Sequence, residues 1–275
     1  ADVQRLPVLL ALWEPEALGT RGRMRPRRPL VPHHGGHGVR AYYEQDGITI
    51  YHGDARELLG LLPHEPQVWV FDPPYSSGGF QEAGKSSGSI GKMGATTSDD
   101  AIQFDRLSTR GYSLMMRDVL RHARQCSELC VFTDWRMWTT TTDAIEYAGF
   151  QVRAMVVWAK PKNGIGRPWL NCHELVAFGM RGSADKDRPG TANVIDCGRS
   201  RNALHPTEKP LELMAKIVKN LAPGVVVDPF AGSGTTLLAA KNLGRKAVGF
   251  EIEERHCETA AQRLSQQVLD FGEAA

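Results

Sequence analysis

The order of apolar segments along the chain restricts the fold more than any other feature of the sequence. Short apolar runs rich in β-branched and aromatic residues alternate with amphipathic stretches whose apolar residues are three and four positions apart. Such alternation is typical of an open, mainly parallel sheet that is covered by helices on both faces. We predict strands at 48–51, 68–71, 129–133, 152–158, 174–178, 225–227 and 247–250, and helices at 112–126, 135–148, 211–221, 235–243 and 254–268.

Length and composition agree with a large globular domain. The chain has 275 residues, of which 41% are hydrophobic, and this is enough to build a substantial core. It has neither an apolar run of the roughly 18 residues that span a membrane nor a signal-peptide pattern, so we expect a soluble, cytoplasmic protein. The five cysteines include no CxxC pair, and we expect reduced thiols rather than disulfides or a zinc site.

The first 40 residues differ in charge from the rest. They carry seven Arg and three acidic residues, whereas the net charge of the whole chain is only +2. Their Gly, Pro and Arg content cannot build a core, so residues 1–40 are predicted to be a flexible basic arm before a domain at 41–275. The arm can neutralise phosphates of a nucleic acid or be a solvated tail without a defined role. Its histidines have no Cys or carboxylate beside them, and no metal site is predicted.

A glycine turn with acidic neighbours lies at residues 224–251. An apolar strand, Asp228, a tight turn with Gly232 and Gly234, a helix, a second strand and Glu251 follow one another. This is one βαβ half of a nucleotide-binding sheet, whose ligand lies outside the carboxyl ends of the strands. The glycines allow a close approach of the backbone to the ligand, and the final acid can accept both hydroxyls of a ribose. The spacing lacks the third glycine of a dinucleotide site and the Lys of a P-loop, which disfavours NAD and ATP.

A second junction, F-D-P-P-Y at residues 71–75, ends a buried strand with a carboxylate, two prolines and an aromatic ring. Proline has no backbone N–H and a fixed φ, so the pair stops the strand and stiffens the turn. Taken alone, the junction predicts either a plain turn or a site for a flat ligand. Likewise, H-P-T-E-K-P at 205–210 can be a helix start with Thr207 as its cap.

Together these segments resemble the β class of S-adenosylmethionine-dependent DNA amino-methyltransferases. The resemblance covers roughly residues 48–265. It implies a Rossmann-like, mostly parallel seven-stranded sheet with helices on both faces, in the circularly permuted order in which the catalytic motif precedes the cofactor motif. Two segments carry most of it: F-D-P-P-Y looks like motif IV, and D-P-F-A-G-S-G at 228–234 looks like motif I. The other similar segments are Y-H-G-D-A-R-E-L-L at 51–59, W-A-K-P at 158–161, H-E-L-V-A-F-G-M at 173–180 and H-P-T-E-K-P-L-E-L-M at 205–214.

The resemblance also implies roles for individual residues. In the catalytic turn formed by Asp72, Pro73, Pro74 and Tyr75, the Asp72 carboxylate and the Pro73 carbonyl accept the N–H groups of an exocyclic amine. Tyr75 would stack on a base that has left the duplex. S-adenosylmethionine is the implied cofactor, and the transfer needs no metal. The implied cofactor-binding residues are Asp54, Ala55, His205, Thr207, Lys209, Asp228, Phe230, Ala231, Gly232, Ser233, Gly234, Thr235, Glu251 and Ile252.

Double-stranded DNA is the partner that the resemblance implies. We expect residues 76–110 to form a loop that closes over the DNA, although a plain disordered loop is the alternative, and residues from about 181 to 204 to form a small target-recognition insert. A homodimer and a cognate restriction nuclease are further expected partners, and a membrane is not. The candidate DNA-binding residues are Lys85, Lys92, Arg167, Arg188, Arg199 and Arg201.

The first residue of the D-P-P-Y tetrapeptide bears on the target base. Asp at this position favours adenine N6 in the family, with cytosine N4 as the nearest alternative. A methyltransferase that acts on RNA or on a protein amide is disfavoured by Asp72 and by the permuted order of motifs. A DNA-binding subunit without catalysis is an alternative of another class.

Overall fold

A mixed nine-stranded sheet forms the centre of the structure. The computed structural model describes residues 39–62, 64–74, 107–161, 168–183, 185–198 and 208–266. In these segments the order of strands across the sheet is β1-β2-β9-β8-β3-β4-β6-β5-β7. The strands are β1 (Tyr43–Gln45), β2 (Ile48–His52), β3 (Gln67–Phe71), β4 (Cys126–Thr133), β5 (Gln151–Ala159), β6 (His173–Met180), β7 (Val194–Asp196), β8 (Val225–Asp228) and β9 (Ala247–Glu251).

The middle of the sheet is parallel. Strands β2, β9, β8, β3 and β4 run in one direction, whereas β6 is antiparallel to both β4 and β5. The late unit β8-α5-β9 inserts between the early strands β2 and β3, in agreement with the permuted order. The predicted α/β fold, mostly parallel with helices on both faces, is therefore confirmed. The seven predicted strands are the seven inner ones, and the three-residue strands β1 and β7 add one edge strand at each side.

Helices lie on both faces of the sheet in the described segments. They are α1 (Ala55–Leu58), α2 (Thr109–Leu120), α3 (Trp138–Tyr147), α4 (Leu211–Lys219), α5 (Thr235–Asn242) and α6 (Glu254–Ser265). Apolar residues of α4, α5 and α6 belong to one buried cluster, and those of α1, α2 and α3 to the other. Strand β3 supplies both clusters by alternation, since Val68 and Val70 face the first and Trp69 and Phe71 the second. This strand is buried along its whole length.

Helices α2 and α3 have boundaries that differ from the predicted ones for local reasons. Helix α2 begins earlier, because the Ser108 side chain accepts a hydrogen bond from the Gly111 N–H and caps it. It ends at Leu120, because strand β4 begins at Cys126 and pairs with β3 instead of continuing the helix. Helix α3 begins three residues late, since the Asp134 carboxylate accepts the N–H groups of Arg136 and Met137 in a turn.

The insert that follows β6 starts at the amino-terminal edge of the parallel strands. Arg188 forms a two-pronged ion pair with Glu128 near the start of β4, at 2.6 and 2.9 Å. Glu128 also accepts the N–H of Ala222, just before β8. Strand β7 then runs parallel to β5 and returns to the carboxyl edge. In the described segments, no helix is both long and apolar enough to cross a membrane.

Candidate active site

Four adjacent strands present an acidic residue at the carboxyl edge of the sheet. In the spatial order β2, β9, β8 and β3, these residues are Asp54, Glu251, Asp228 and Asp72. Parallel pairing brings them side by side although they are far apart in sequence. The result is a row of carboxylates along one cleft, which fits a ligand that carries positive charge.

Two of these acids hold the glycine turn in shape. Asp228 Oδ1 accepts the N–H of Phe230 at 2.9 Å, and Glu251 Oε2 accepts the N–H of Gly232 at 2.8 Å. Glu251 Oε1 accepts the N–H of Glu253, also at 2.8 Å. A carboxylate has about four lone-pair positions, so Glu251 can still accept hydroxyl groups from a ligand.

The two glycines of the turn serve different purposes. Gly232 lines the cleft with a φ of +50°, and a Cβ placed there would meet nothing within 4 Å, so the backbone is open to a ligand. Gly234 has a φ of +80°, and a Cβ there would lie 2.8 Å from the Cβ of Ala260 in α6. Gly234, which the resemblance assigns to the cofactor, is absent from the lining of the cleft and makes room for helix packing instead.

Arg263 of α6 supports the turn from behind. Its guanidinium donates to the Ser233 carbonyl at 2.8 Å and to the Thr235 hydroxyl at 3.2 Å, and it pairs with Glu208 at 3.0 Å. It thereby joins the turn to the segment that leads into α4. No sequence motif drew attention to Arg263, because its partners come from two distant parts of the chain.

Burial and neighbouring charge set the protonation of the acidic row. Burial raises the pKa of Asp228 to about 7, and the charges of Asp72 and Glu251 act in the same direction. At the other end of the row, a hydrogen bond from Arg56 lowers the pKa of Asp54. Asp54 also accepts the N–H of Arg56 as the cap of α1. Asp228 is thus only partly ionised near neutral pH.

Asp72 belongs to a chain of four alternating charges. Its Oδ2 accepts from Lys209 at 2.5 Å, Lys209 lies 3.3 Å from Glu174 Oε2, and Glu174 Oε1 accepts from Lys160. These residues come from the end of β3, the approach to α4, the start of β6 and the end of β5. Lys160 and Glu174 lie within segments that the resemblance covers, but sequence reasoning gave them no role.

The two oxygens of Asp72 differ in their hydrogen bonding. Oδ1 is buried and has no hydrogen-bond partner among the described residues, although the side chain as a whole is 28% exposed toward the cleft. Burial raises the pKa of Asp72, and Lys209 opposes that shift. A buried acceptor without a donor is costly, so Oδ1 is suited to accept an N–H from a ligand.

An exposed aromatic side chain stands at the same edge, next to the catalytic strand. Trp135 follows β4 and is 59% exposed, and the Arg136 guanidinium lies 4.9 Å from the centre of its ring. Strand β4 pairs with β3 in parallel, so Trp135 lies at the carboxyl edge, as Asp72 does. The sequence pattern indicates Trp135 only as the start of a helix.

The cleft has room for more than one ligand. Its volume is about 1630 Å³, beyond the roughly 300–1,000 Å³ of a small-molecule site. Of the residues assigned from the sequence, Asp54, Ala55, Asp72, Pro73, Pro74, Lys209, Asp228, Phe230, Ala231, Gly232, Ser233, Thr235, Glu251 and Ile252 line it. No group of three or more His, Cys, Asp or Glu side chains in the described segments is arranged to hold a metal ion.

Most of the other assigned residues lie outside the described part of the chain, and one described residue lies away from the cleft. Tyr75, Lys85, Lys92, Arg167, Arg199, Arg201, His205 and Thr207 lie outside the described residues, as do residues 1–38 of the basic arm and residues 75–106, which hold most of the expected DNA-facing loop. Arg188 is described, and its pairing with Glu128 places it at the amino-terminal edge, opposite Asp72. This placement supports a structural role for Arg188 rather than the predicted contact with DNA.

Comparison with known proteins identifies the domain that carries this site. The model of a DNA methylase family, N6_N4_Mtase, matches residues 180–262, which include β8, the glycine turn and Glu251. Over this part of the chain, the sequence is similar to the N6/N4 DNA methylases. This confirms the family that the sequence motifs predicted.

Proteins similar to this chain agree with it in extent and fold. The type II methyltransferase M2.LlaDCHI of Lactococcus lactis subsp. cremoris is 25% identical over 263 residues, which cover 82% of this chain and 93% of the relative. The M1.HpyAVI complex with SAM has a TM-score of 0.58 at 24% identity and covers 79% of this chain and 100% of its own. The cytosine-N4-specific PvuII DNA methyltransferase has a TM-score of 0.59 at 18% identity, with coverages of 81% and 88%. These two likenesses show the shared fold, and S-adenosylmethionine is the cofactor of this family, as predicted.

Proposed function

We propose that this N6/N4 DNA methylase transfers a methyl group from S-adenosylmethionine to N6 of adenine in duplex DNA, after the base has left the helix. The proposal depends mainly on the Asp72 carboxylate. Its Oδ1 has no hydrogen-bond partner among the described residues, and the side chain lines a cleft large enough for both a cofactor and a base. Flipping a base costs a few kcal/mol of unstacking, which contacts in the cleft must offset.

The acceptor side of the cleft makes the amine reactive. The lone pair of an exocyclic amine is delocalised into the ring, so the amine is a poor nucleophile until its geometry changes. Asp72 Oδ1 and the Pro73 carbonyl can each accept one N–H, which directs the lone pair toward the methyl group. The N–C bond forms as the S–C bond breaks, and the nitrogen then releases one proton. Tyr75 remains the proposed stacking partner of the base.

The donor side of the cleft fits the charge of the cofactor. S-adenosylmethionine, when bound, supplies a methyl group on a positively charged sulfur. The acidic row of Asp54, Glu251, Asp228 and Asp72 favours such a cation, Glu251 can accept ribose hydroxyls, and Gly232 leaves its backbone open. His205 and Thr207 are proposed to lie toward the amino-acid end of the cofactor.

The DNA is proposed to approach the carboxyl edge of the sheet. Exposed Trp135 and the adjacent Arg136 supply a stacking face and a positive charge beside the catalytic strand. Lys85 and Lys92, within a loop at 76–110, remain proposed phosphate contacts. Arg167 also remains one, as do Arg199 and Arg201 within the insert that reaches residue 204. The start of that insert lies at the opposite edge, so only its later part is suited to target recognition.

Cytosine N4 is the second candidate target. Its exocyclic amine offers the same N–H donors, and the PvuII enzyme, which shares the fold, is cytosine-N4-specific. The resemblance of D-P-P-Y to adenine-specific family members favours adenine. A homodimer and a restriction nuclease partner are also proposed, the latter because M2.LlaDCHI is named a type II methyltransferase. Light scattering of the purified protein would test the dimer.

Replacing Asp72 tests the catalytic assignment against a DNA-binding subunit without catalysis. Asp72→Ala should retain cofactor affinity and lower the transfer of labelled methyl groups to duplex DNA by at least about 100-fold, since it removes an acceptor that acts in the transition state. Asp143→Asn, at an exposed site on α3, is the control and should transfer at the wild-type rate. Equal rates for Asp72→Ala and wild type would contradict the role of Asp72, and a wild type that binds DNA without transferring methyl groups would favour the subunit.

A further inference from the structure

A buried ammonium group separates the catalytic carboxylate from a second carboxylate. The Lys209 side chain is only 9% exposed, and its Nζ lies 2.5 Å from Asp72 Oδ2 and 3.3 Å from Glu174 Oε2. The ring of Phe132 is 5.1 Å from the same nitrogen. The resemblance assigned Lys209 to the cofactor, but its ammonium group is directed to the catalytic turn.

The pair can remain charged only because its members neutralise each other. A buried carboxylate without a counter-charge takes up a proton, and a neutral carboxyl group is a much weaker acceptor for an N–H. Asp72 and Glu174 raise the pKa of Lys209 against the effect of burial, so the ammonium form persists. Lys160 completes the set as the partner of Glu174, and the four groups sum to zero charge.

The two oxygens of Asp72 are thereby made unequal. Oδ2 is occupied by Lys209, and Oδ1 has no partner among the described residues. A carboxylate free to rotate would offer either oxygen in many orientations, whereas one held at Oδ2 presents Oδ1 in a fixed direction.

We propose that Lys209 is a positioning residue for methyl transfer, which holds Asp72 through Oδ2 as a carboxylate and leaves Oδ1 for the target amine. Glu174, itself held by Lys160, positions Lys209. The inference rests on the proposed function, because it assigns to Oδ1 the amine of a DNA base. It also differs from the role suggested by the resemblance, which assigned Lys209 to the cofactor.

The pH dependence of the reaction separates these roles. The charged and titratable groups around Asp72 are Lys209, Glu174, Lys160, Asp228 on β8 and Tyr112 on α2. Of these, Lys209 lowers the pKa of Asp72 and Glu174 raises it. Removing the charge of Lys209 must therefore raise that pKa, whereas removing the charge of Glu174 must lower it. A residue that only supports the fold would not produce shifts of opposite sign.

The experiment compares the variants Lys209→Gln and Glu174→Gln with wild type. The control is Lys216→Gln, since Lys216 is an exposed lysine on α4 that pairs with Glu212. Single-turnover transfer of methyl groups to duplex DNA is measured at saturating cofactor from about pH 5.5 to pH 9. For Lys209→Gln, we expect the transfer rate to fall at both ends of this range. The fall relative to wild type should be at least about tenfold larger at about pH 6 than at pH 9, because the acid limb of the pH–rate profile moves to higher pH. For Glu174→Gln the acid limb should move to lower pH, and Lys216→Gln should match wild type.

Cofactor affinity and a direct titration complete the test. The dissociation constant of S-adenosylmethionine for Lys209→Gln should stay within about threefold of wild type. The carboxyl ¹³C resonance of Asp72, assigned with Asp72→Asn, should titrate at higher pH in Lys209→Gln and at lower pH in Glu174→Gln, and this readout needs no turnover. A loss of rate that is equal at all pH values, or weaker cofactor binding with an unchanged saturated rate, would overturn the inference. If wild type transferred no methyl group to DNA, the proposed function would be contradicted. If the variants still showed these ¹³C shifts, the coupling of Lys209 to Asp72 would stand.

Discussion

Asp228→Asn should remove a decline in stability that the wild type shows as pH rises from about 4 to 7. Asp228 is 3% exposed, and burial raises its pKa to about 7. Its Oδ1 accepts the N–H of Phe230, and Thr236 is a second hydrogen-bond partner. Asn has the same shape and can accept from Phe230 and donate to the Thr236 hydroxyl, so the exchange removes the titration and keeps the contacts.

The sign and size of the effect follow from the two states of the chain. In the unfolded chain Asp titrates near pH 3.9, so between about pH 4 and 7 the native state binds one more proton than the unfolded state. The free energy of unfolding therefore falls as pH rises through this window. About three pH units at 1.36 kcal/mol each give a decline of roughly 4 kcal/mol as an upper limit. The Asp228→Asn variant has no titrating group at this position, so it gains about this much relative to wild type.

Urea unfolding at several pH values between about 4.5 and 7.5 measures the difference between the two proteins. Other carboxylates titrate in both chains and cancel in the difference. Asp143→Asn, which makes the same exchange at an exposed site, is the matched control. If the Asp228→Asn difference changed by less than about 1 kcal/mol over the window, the reasoning on burial would be refuted.

Three further substitutions test separate parts of the structure. Gly234→Ala should lower the free energy of unfolding by about 1–3 kcal/mol, because it combines a positive φ with a contact of 2.8 Å to Ala260, and a smaller loss by urea titration would contradict the packing role. Arg188→Met should lower the free energy of unfolding by about 3 kcal/mol, because it leaves the buried Glu128 carboxylate without its counter-charge. It should leave DNA affinity unchanged, whereas a loss of DNA binding would restore Arg188 as a DNA contact. Trp135→Ala should weaken duplex binding by about tenfold in a fluorescence titration while cofactor affinity stays constant, and unchanged duplex binding would exclude a DNA contact at Trp135.

The inner sheet was predictable because each of its strands has its own apolar run. The runs V-W-V-F and V-V-V are buried on both faces in the structure, and burial of that kind requires apolar side chains without interruption. Strands β1 and β7 have three residues each and are mostly exposed, so they carry no such signal. They form through backbone pairing with β2 and β5, which depends on the folded neighbours.

The candidate site was predictable where one short motif contains all its parts. The turn from Asp228 to Gly234 is local, and the position of Glu251 follows from one βαβ unit. The ion pair between Lys209 and Asp72 joins residues 137 positions apart, and no spacing rule connects them. The same holds for Arg188, whose basic character suggested DNA and whose actual partner is a carboxylate at the far edge of the sheet.

The base that receives the methyl group is the most direct test of the account. The purified protein is incubated with S-adenosylmethionine and unmethylated genomic DNA, and the DNA is then digested to nucleosides and analysed by mass spectrometry. Wild type should form N6-methyldeoxyadenosine, and Asp72→Ala should form it at least about 100-fold more slowly. N4-methyldeoxycytidine without N6-methyldeoxyadenosine would contradict the proposed target, and methylated adenine formed by Asp72→Ala at the wild-type level would contradict the proposed mechanism.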